Sequence, residues 1–154
     1  MTRAEGLVAK LGLQPHPEGG FYKETFRSDL MVQTESGPRS AGTAILYLLA
    51  GDEISHFHRI DADEVWHFHE GAPLSLYTID NENGCQRHEV SAEHPQLLVK
   101  AGVWFGACLE AEDDYCLVSC TVMPAYEFSG FELAEREPLL EAWPEARQII
   151  EKLT

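Results

Sequence analysis

Gly51-Asp-Glu-Ile-Ser-His56-Phe-His58-Arg-Ile-Asp-Ala-Asp63-Glu64-Val-Trp66-His67-Phe-His69-Glu-Gly71 is the stretch on which the reading of this chain turns. It contains two short runs of strand character, broken by the turn-forming Asp61-Ala62-Asp63 and bounded by glycines. Residues two apart on a strand face the same side. His56 and His58 are therefore expected to point together, and Glu64, Trp66 and Phe68 to share a face of the following strand. If that strand returns antiparallel, Glu64 closes on the histidine pair. Two imidazoles and a carboxylate form a donor set for a divalent transition metal. The same groups in an apolar pocket form an acid–base set, because burial shifts their pKa values most. His67 and His69 have the opposite parity and are expected on the outside of the sheet.

Working outward, the β pattern continues on both sides. Phe21 to Arg27, Thr43 to Leu49, Leu74 to Ile79, Gln96 to Val99, Val103 to Leu109 and Tyr115 to Met123 read as strands. Asn81-Glu82-Asn83-Gly84 is a hairpin turn, and residues 33–42 read as a polar loop. Short strands at roughly ten-residue spacing predict a sandwich or barrel. No strand–helix–strand alternation supports a parallel sheet. Helices are expected only at the ends. Thr2-Arg3-Ala4-Glu5 matches a capping box, with Leu7, Val8 and Leu11 on one face and Gly12 as the stop. Near the C-terminus Pro138 and Pro144 suit first-turn positions, and Ala146, Ile149, Ile150 and Leu153 share a helical face. Pro15-His16-Pro17-Glu18-Gly19-Gly20 cannot be helix, since two prolines remove donors and two glycines permit positive φ. This turn is placed to lay Glu18 and Tyr22 over the mouth of a barrel.

The chain has 154 residues, which fits one domain over 1–154 and is enough to bury a core without disulfides. Its formal net charge of −15 opposes nucleic acid and anionic membrane surfaces. Against that excess of acid, Arg27 and Arg59 are candidate anion contacts. Cys85, Cys108, Cys116 and Cys120 form no Cys-x-x-Cys pair and read as reduced, small apolar side chains. With no signal-peptide pattern, the expected location is cytoplasmic.

The His-x-His, acidic residue and Gly71 arrangement resembles the first motif of the cupin superfamily. Glu18-Gly19-Gly20-Phe21-Tyr22, Ser55-His56-Phe57-His58-Arg59, Asp63-Glu64-Val65-Trp66-His67-Phe68 and Ala101-Gly102-Val103-Trp104 resemble one small bacterial and fungal branch, sometimes labelled predicted sugar epimerase. The resemblance runs from about Leu11 to Phe131. It implies an all-β fold, an antiparallel jelly-roll (double-stranded β-helix) barrel, and a homodimer. Five residues separate His58 from Glu64 where such proteins commonly have three or four, so either Asp63 or Glu64 enters the barrel; parity with Trp66 favours Glu64. In the second motif Lys100 stands for the usual proline and Phe105 for the usual histidine, which removes a fourth metal ligand.

These features predict a small-molecule pocket with no tightly bound metal or other cofactor; if a metal were held, His56, His58 and Glu64 would be its ligands. The leading expectation is an isomerase or epimerase acting on a sugar or carbonyl compound. His58 is its base, with Glu64 or Asp63 orienting the ring, and Tyr22 is its acid. His56, Trp66, Glu18, Phe68, Trp104 and Phe105 are expected to contact the ligand. The alternatives are a metal-dependent, oxygenase-like cupin and a non-catalytic metabolite-binding module.

Overall fold

Two antiparallel sheets face one another across a layer of apolar side chains. The computed structural model describes residues 1–154. After helix α1 (Arg3–Leu11) the strands are β1 (Gln14–Pro15), β2 (Phe21–Arg27), β3 (Met31–Thr34), β4 (Gly37–Ser40), β5 (Thr43–Ala50), β6 (Ile54–Ile60) and β7 (Asp63–Gly71). There follow β8 (Leu74–Asp80), β9 (Gly84–Val90), β10 (Gln96–Val99), β11 (Trp104–Leu109), β12 (Tyr115–Met123) and β13 (Phe131–Leu133), then helices α2 (Arg136–Ala142) and α3 (Arg147–Lys152). One sheet has the order β1-β2-β5-β12-β7-β10 and the other β13-β6-β11-β8-β9. This is the jelly-roll barrel that the strand spacing and the glycine-bounded motif predict. From β5 to β8, and again from β9 to β13, successive strands alternate between the two sheets, so these connections close the barrel rather than extend one sheet.

The elements follow from local chemistry. Thr2 and Glu5 form the capping box, and Gly12 ends α1 at φ 68°. The Asp80–Gly84 turn is held by Asp80 accepting the amides of Glu82 and Asn83, and it launches β9 opposite β8. Residues 33–42 are not a plain loop: β3 and β4 pair as a small hairpin turning before Gly37. Its polar composition hides it, because the residues it buries, Arg39 and Ser40, are polar and hydrogen-bonded, so no apolar alternation marks it.

Three apolar layers hold the fold. Tyr47, Leu49, Trp66, Leu76, Phe105 and Val118 belong to the layer between the sheets. Phe57, Ile79 and Cys108, on the outer face of the second sheet, are covered by Leu139, Leu140, Ile150 and Leu153 of the C-terminal segment. Leu48 and Leu117 on the outside of the first sheet meet Ala4 and Leu7 of α1. The inter-sheet core fills one end of the barrel. The other end stays open as a cavity. No helix is long and apolar enough to cross a membrane.

Candidate functional site

The cavity occupies about 230 Å³ and is lined by side chains from β2, β5, β6, β7, β12 and β13 and from the segments around Glu18 and Tyr126. Two bulges determine what faces it. Opposite β11, Phe105 pairs with His58 and Ala107 with Ser55, so His56 and Phe57 together oppose the single residue Gly106. A bulge of this kind adds one residue to one strand and breaks the two-residue alternation. Ser55 and His58 therefore turn into the barrel, and Phe57 turns outward beneath the C-terminal helices. The expected convergence of His56 with His58 fails for this reason. On β2 a second irregularity falls between Glu24 and Phe26. It brings Arg27 onto the same inward face as Tyr22 and Glu24, all three lining the cavity.

Glu18 reaches the barrel through the Pro-His-Pro-Glu-Gly-Gly turn. Gly19 has φ 109°, and a Cβ there would lie 1.9 Å from the Ile54 carbonyl oxygen. Only glycine permits this approach of the turn to β6. The turn is bolted down by Tyr47, whose hydroxyl donates to the Gly19 carbonyl (2.6 Å). His56 donates to the Glu18 carbonyl from both its backbone amide (2.9 Å) and its Nδ1 (2.7 Å). His56 thus anchors the turn and does not line the cavity. His16 accepts the Glu18 amide at Nδ1 (3.1 Å), and burial lowers the pKa of its ring; it sits in the turn as a neutral ring.

The Glu18 carboxylate accepts from Ser55 Oγ (3.2 Å) and faces His58 Nε2 at 3.0 Å. His58 Nδ1 lies 2.7 Å from the His56 carbonyl, which can only accept, so Nδ1 carries a proton. Burial works against a charged His58 ring, but the charge and hydrogen bond of Glu18 and the His56 carbonyl outweigh it and hold the ring above its ordinary value. Burial likewise opposes ionised Glu18, and the charge and hydrogen bond of His58 carry it below the usual carboxylate range. The pair is an imidazolium–carboxylate ion pair with both ring nitrogens engaged.

Glu64 is the third ionisable group of the cavity. It is buried, and the hydrogen-bonding group beside it is the Cys120 thiol, a weak donor. Burial pushes its carboxyl up to about 7; the His58 charge opposes that shift and the Glu18 charge adds to it. Its neighbour in sequence, Asp63, points the other way, accepting the Ala101 amide (2.9 Å) with Lys100 at 3.7 Å. Tyr22 and Tyr126 also line the cavity, and burial together with the Glu18 charge pushes the Tyr126 hydroxyl up to about 12.

The remaining expected contacts lie elsewhere. Phe105 packs on the His58 ring (centroids 4.1 Å apart) and forms a floor below it. Trp66 lies a layer deeper, edge-on to Phe105 and Tyr47, with its indole N–H unpartnered. Phe68 packs on the same core. Trp104 faces outward, with the Arg59 guanidinium 4.3 Å above its ring, and belongs to a groove beside α2. Parity places Trp104 and Phe105 on opposite sides of β11, so they cannot share a pocket. His67 and His69, on the outward side of β7, bond to Thr121 and Ser119 of β12. Sequence reasoning missed His16, Glu24 and Tyr126, which line the cavity, and the pairing of Glu18 with His58; a lone Tyr beyond a strand end carries no signal.

The set His56, His58 and Glu64 does not fit a metal in this arrangement. The His56 Nδ1 is spent on a carbonyl, both His58 nitrogens are engaged, and the three groups do not bring ligand atoms within 4.8 Å of one another. Glu89, Glu93 and His94 do so, but on the surface.

A double-stranded β-helix enclosing an acid–imidazole cavity defines a cupin. This chain belongs to the family described as Cupin superfamily (DUF985), whose pattern matches residues 5–134. A hypothetical protein from Leishmania major is 32% identical, with 99% of each chain covered and a TM-score of 0.91. A protein from Shewanella oneidensis is 36% identical, with 100% of this chain and 98% of that one covered and a TM-score of 0.88. A dTDP sugar isomerase from Desulfovibrio desulfuricans is similar in fold alone: 13% identity, 77% and 87% coverage, TM-score 0.54. No curated protein matches the sequence.

Proposed function

We propose that this cupin binds a small oxygen-rich compound and moves a proton on it, as an isomerase or epimerase of a sugar or other carbonyl compound. The observation that carries the reading is Glu64, a buried carboxyl pushed up to about 7 beside a satisfied ion pair. A base works best when its pKa lies near the working pH, and pairs of titratable groups pushed apart by their surroundings mark acid and base roles. The roles differ from those the sequence implies. His58, with both nitrogens committed, is not free to act as base. Glu18, not Glu64 or Asp63, orients its ring. Ionised Glu64 takes the proton from the carbon next to the carbonyl, and electron density moves onto the carbonyl oxygen. The His58 charge and the Tyr126 hydroxyl stabilise that oxygen; as the electron pair returns to carbon Tyr22 gives it a proton, and solvent then takes the proton from Glu64 and restores that of Tyr22. The likeness to a sugar isomerase is one of fold and adds only an analogy.

The test is deuterium incorporation from D₂O into small aldoses and ketoses, followed by NMR at pH 8. The wild-type protein exchanges the hydrogen next to the carbonyl, and Glu64→Gln loses about 10²- to 10⁴-fold of that rate, the usual worth of a positioned acid or base. Binding without exchange would leave the non-catalytic metabolite-binding module as the correct reading.

The cysteines are all free, which suits the reducing cytoplasm. The homodimer implied by the resemblance also belongs to this reading, supported by Phe26 and Leu98, apolar side chains left more than half or half exposed. Light scattering at micromolar concentration is expected to return twice the 17.3 kDa chain mass; a monomeric mass throughout would remove this part of the reading.

A further inference from the structure

The cavity mouth carries one cation, Arg27, and it is already neutralised. Its Nη2 donates to Glu24 Oε1 (2.8 Å) and to the Tyr126 carbonyl (3.1 Å). Its Nη1 lies 3.6 Å from Glu127. Within the cavity His58 is matched by Glu18 at 3.0 Å. Arg59, the other arginine the sequence offers for an anion, is paired with Glu132 at 2.7 Å and stacked on Trp104, outside the cavity. No positive charge that lines the cavity is left without its own carboxylate, whereas Glu64 has no cationic partner and adds negative charge when ionised. An entering phosphate would have to strip a carboxylate from Arg27 or sit against Glu18, Glu24 and Glu64, and like charges brought together repel.

Size points the same way. At about 230 Å³ the space equals that of roughly eight liquid waters, taking about 30 Å³ each. It admits a compound of monosaccharide size, and a nucleotide attached to one would have to lie outside the cavity, against the carboxylates that mask Arg27. The walls alternate apolar groups, Ile45, Ile60 and Val122, with hydroxyls, which suits a carbon skeleton bearing hydroxyl and carbonyl oxygens.

We propose that the cavity selects uncharged hydroxycarbonyl compounds or free sugars and rejects their phosphorylated and nucleotide-linked forms, with Glu24 and Glu127 acting as the specificity residues that mask Arg27. The proposal rests on the functional reading above for the location of the ligand, but it concerns binding alone. The experiment is ligand-observed NMR and calorimetry on the full chain at pH 7.5, with five probes: D-fructose and D-fructose 6-phosphate, dihydroxyacetone and its phosphate as a smaller pair, and a thymidine diphosphate sugar. The uncharged member of each pair binds at least about tenfold more tightly than its phosphate, and the nucleotide sugar does not bind. Glu24→Gln narrows the gap by admitting the phosphate, an effect that a merely structural Glu24 would not give. Tighter binding of either phosphate or of the nucleotide sugar overturns the proposal, as does failure of both uncharged probes to bind. Selective binding of the uncharged probes without deuterium exchange would leave this proposal standing while removing catalysis, so the two readings fail separately.

Discussion

Replacing Gly19 by alanine is expected to lower stability by about 4 kcal/mol, at the upper end of single-site effects, and to detach Glu18 from His58. At φ 109° an L-residue is strained whatever surrounds it, and here the added Cβ would also fall 1.9 Å from the Ile54 oxygen. Backbone, not a flexible side chain, stands in the way, so the turn must lift off β6. Lifting it breaks the bonds from Tyr47 to the Gly19 carbonyl and from His56 to the Glu18 carbonyl. The control is Gly84→Ala in the β8–β9 turn, where φ is also positive (65°) but nothing lies within 4 Å of the new Cβ. That change carries only the left-handed penalty of about 1–2 kcal/mol. For a domain of this size the first variant should melt about 10 °C below wild type and the second about 4 °C. NMR titration provides the local readout: with Glu18 withdrawn, His58 loses the partner that holds its pKa up and titrates lower. Equal melting temperatures for the two variants, or an unmoved His58 titration in Gly19→Ala, would show that the turn is not what delivers Glu18.

The sequence makes the barrel legible because its strands are short, alternating and separated by glycine or acidic turns, each a local property. Glu64 is legible for the same reason: parity with Trp66 holds along β7, and the irregularity in that strand falls beyond Phe68, opposite the Leu117–Val118 step of β12. His56 is not legible. Its orientation depends on a bulge, and a bulge exists only as a count of residues against a partner strand. The chain carries no mark that two residues, His56 and Phe57, will face the single Gly106. The same holds for Arg27, which the irregularity near Thr25 turns inward. The capture of Glu18 by His58 depends on a turn folding over a strand some 40 positions away in sequence, and no periodicity reports that. Strand parity thus gives one residue of the acid–imidazole set directly, and the other two only after the pairing is known.

Glu64 should make the protein less stable as pH rises from about 4.5 to 7, and Glu64→Gln should abolish that loss. In the unfolded chain the carboxyl titrates at its ordinary 4.5, and in the cavity burial holds it at about 7. Below pH 4.5 both states are protonated and the group contributes no pH dependence. Between the two values the unfolded state gives up its proton while the folded state keeps it, which favours unfolding. Above 7 the penalty is complete, at roughly 3 kcal/mol for a difference of this size. Glutamine has nearly the same shape and no charge to bury. The stability of the variant relative to wild type should therefore climb by roughly 3 kcal/mol between pH 4.5 and 8.5, or about 6–12 °C in melting temperature. His58 and Glu18 titrate in both proteins, so the difference between the two in urea unfolding at matched pH reports Glu64 together with its coupling to that pair. A difference that stays flat or falls with pH would mean that Glu64 ionises normally in the folded state. It would then be no poised base. Exchange activity should run the opposite way, rising through pH 7 as the carboxylate forms, because the species that takes the proton is the species the fold tolerates least. A group that costs stability in its working form is the pattern expected at a functional site rather than in a core built for packing.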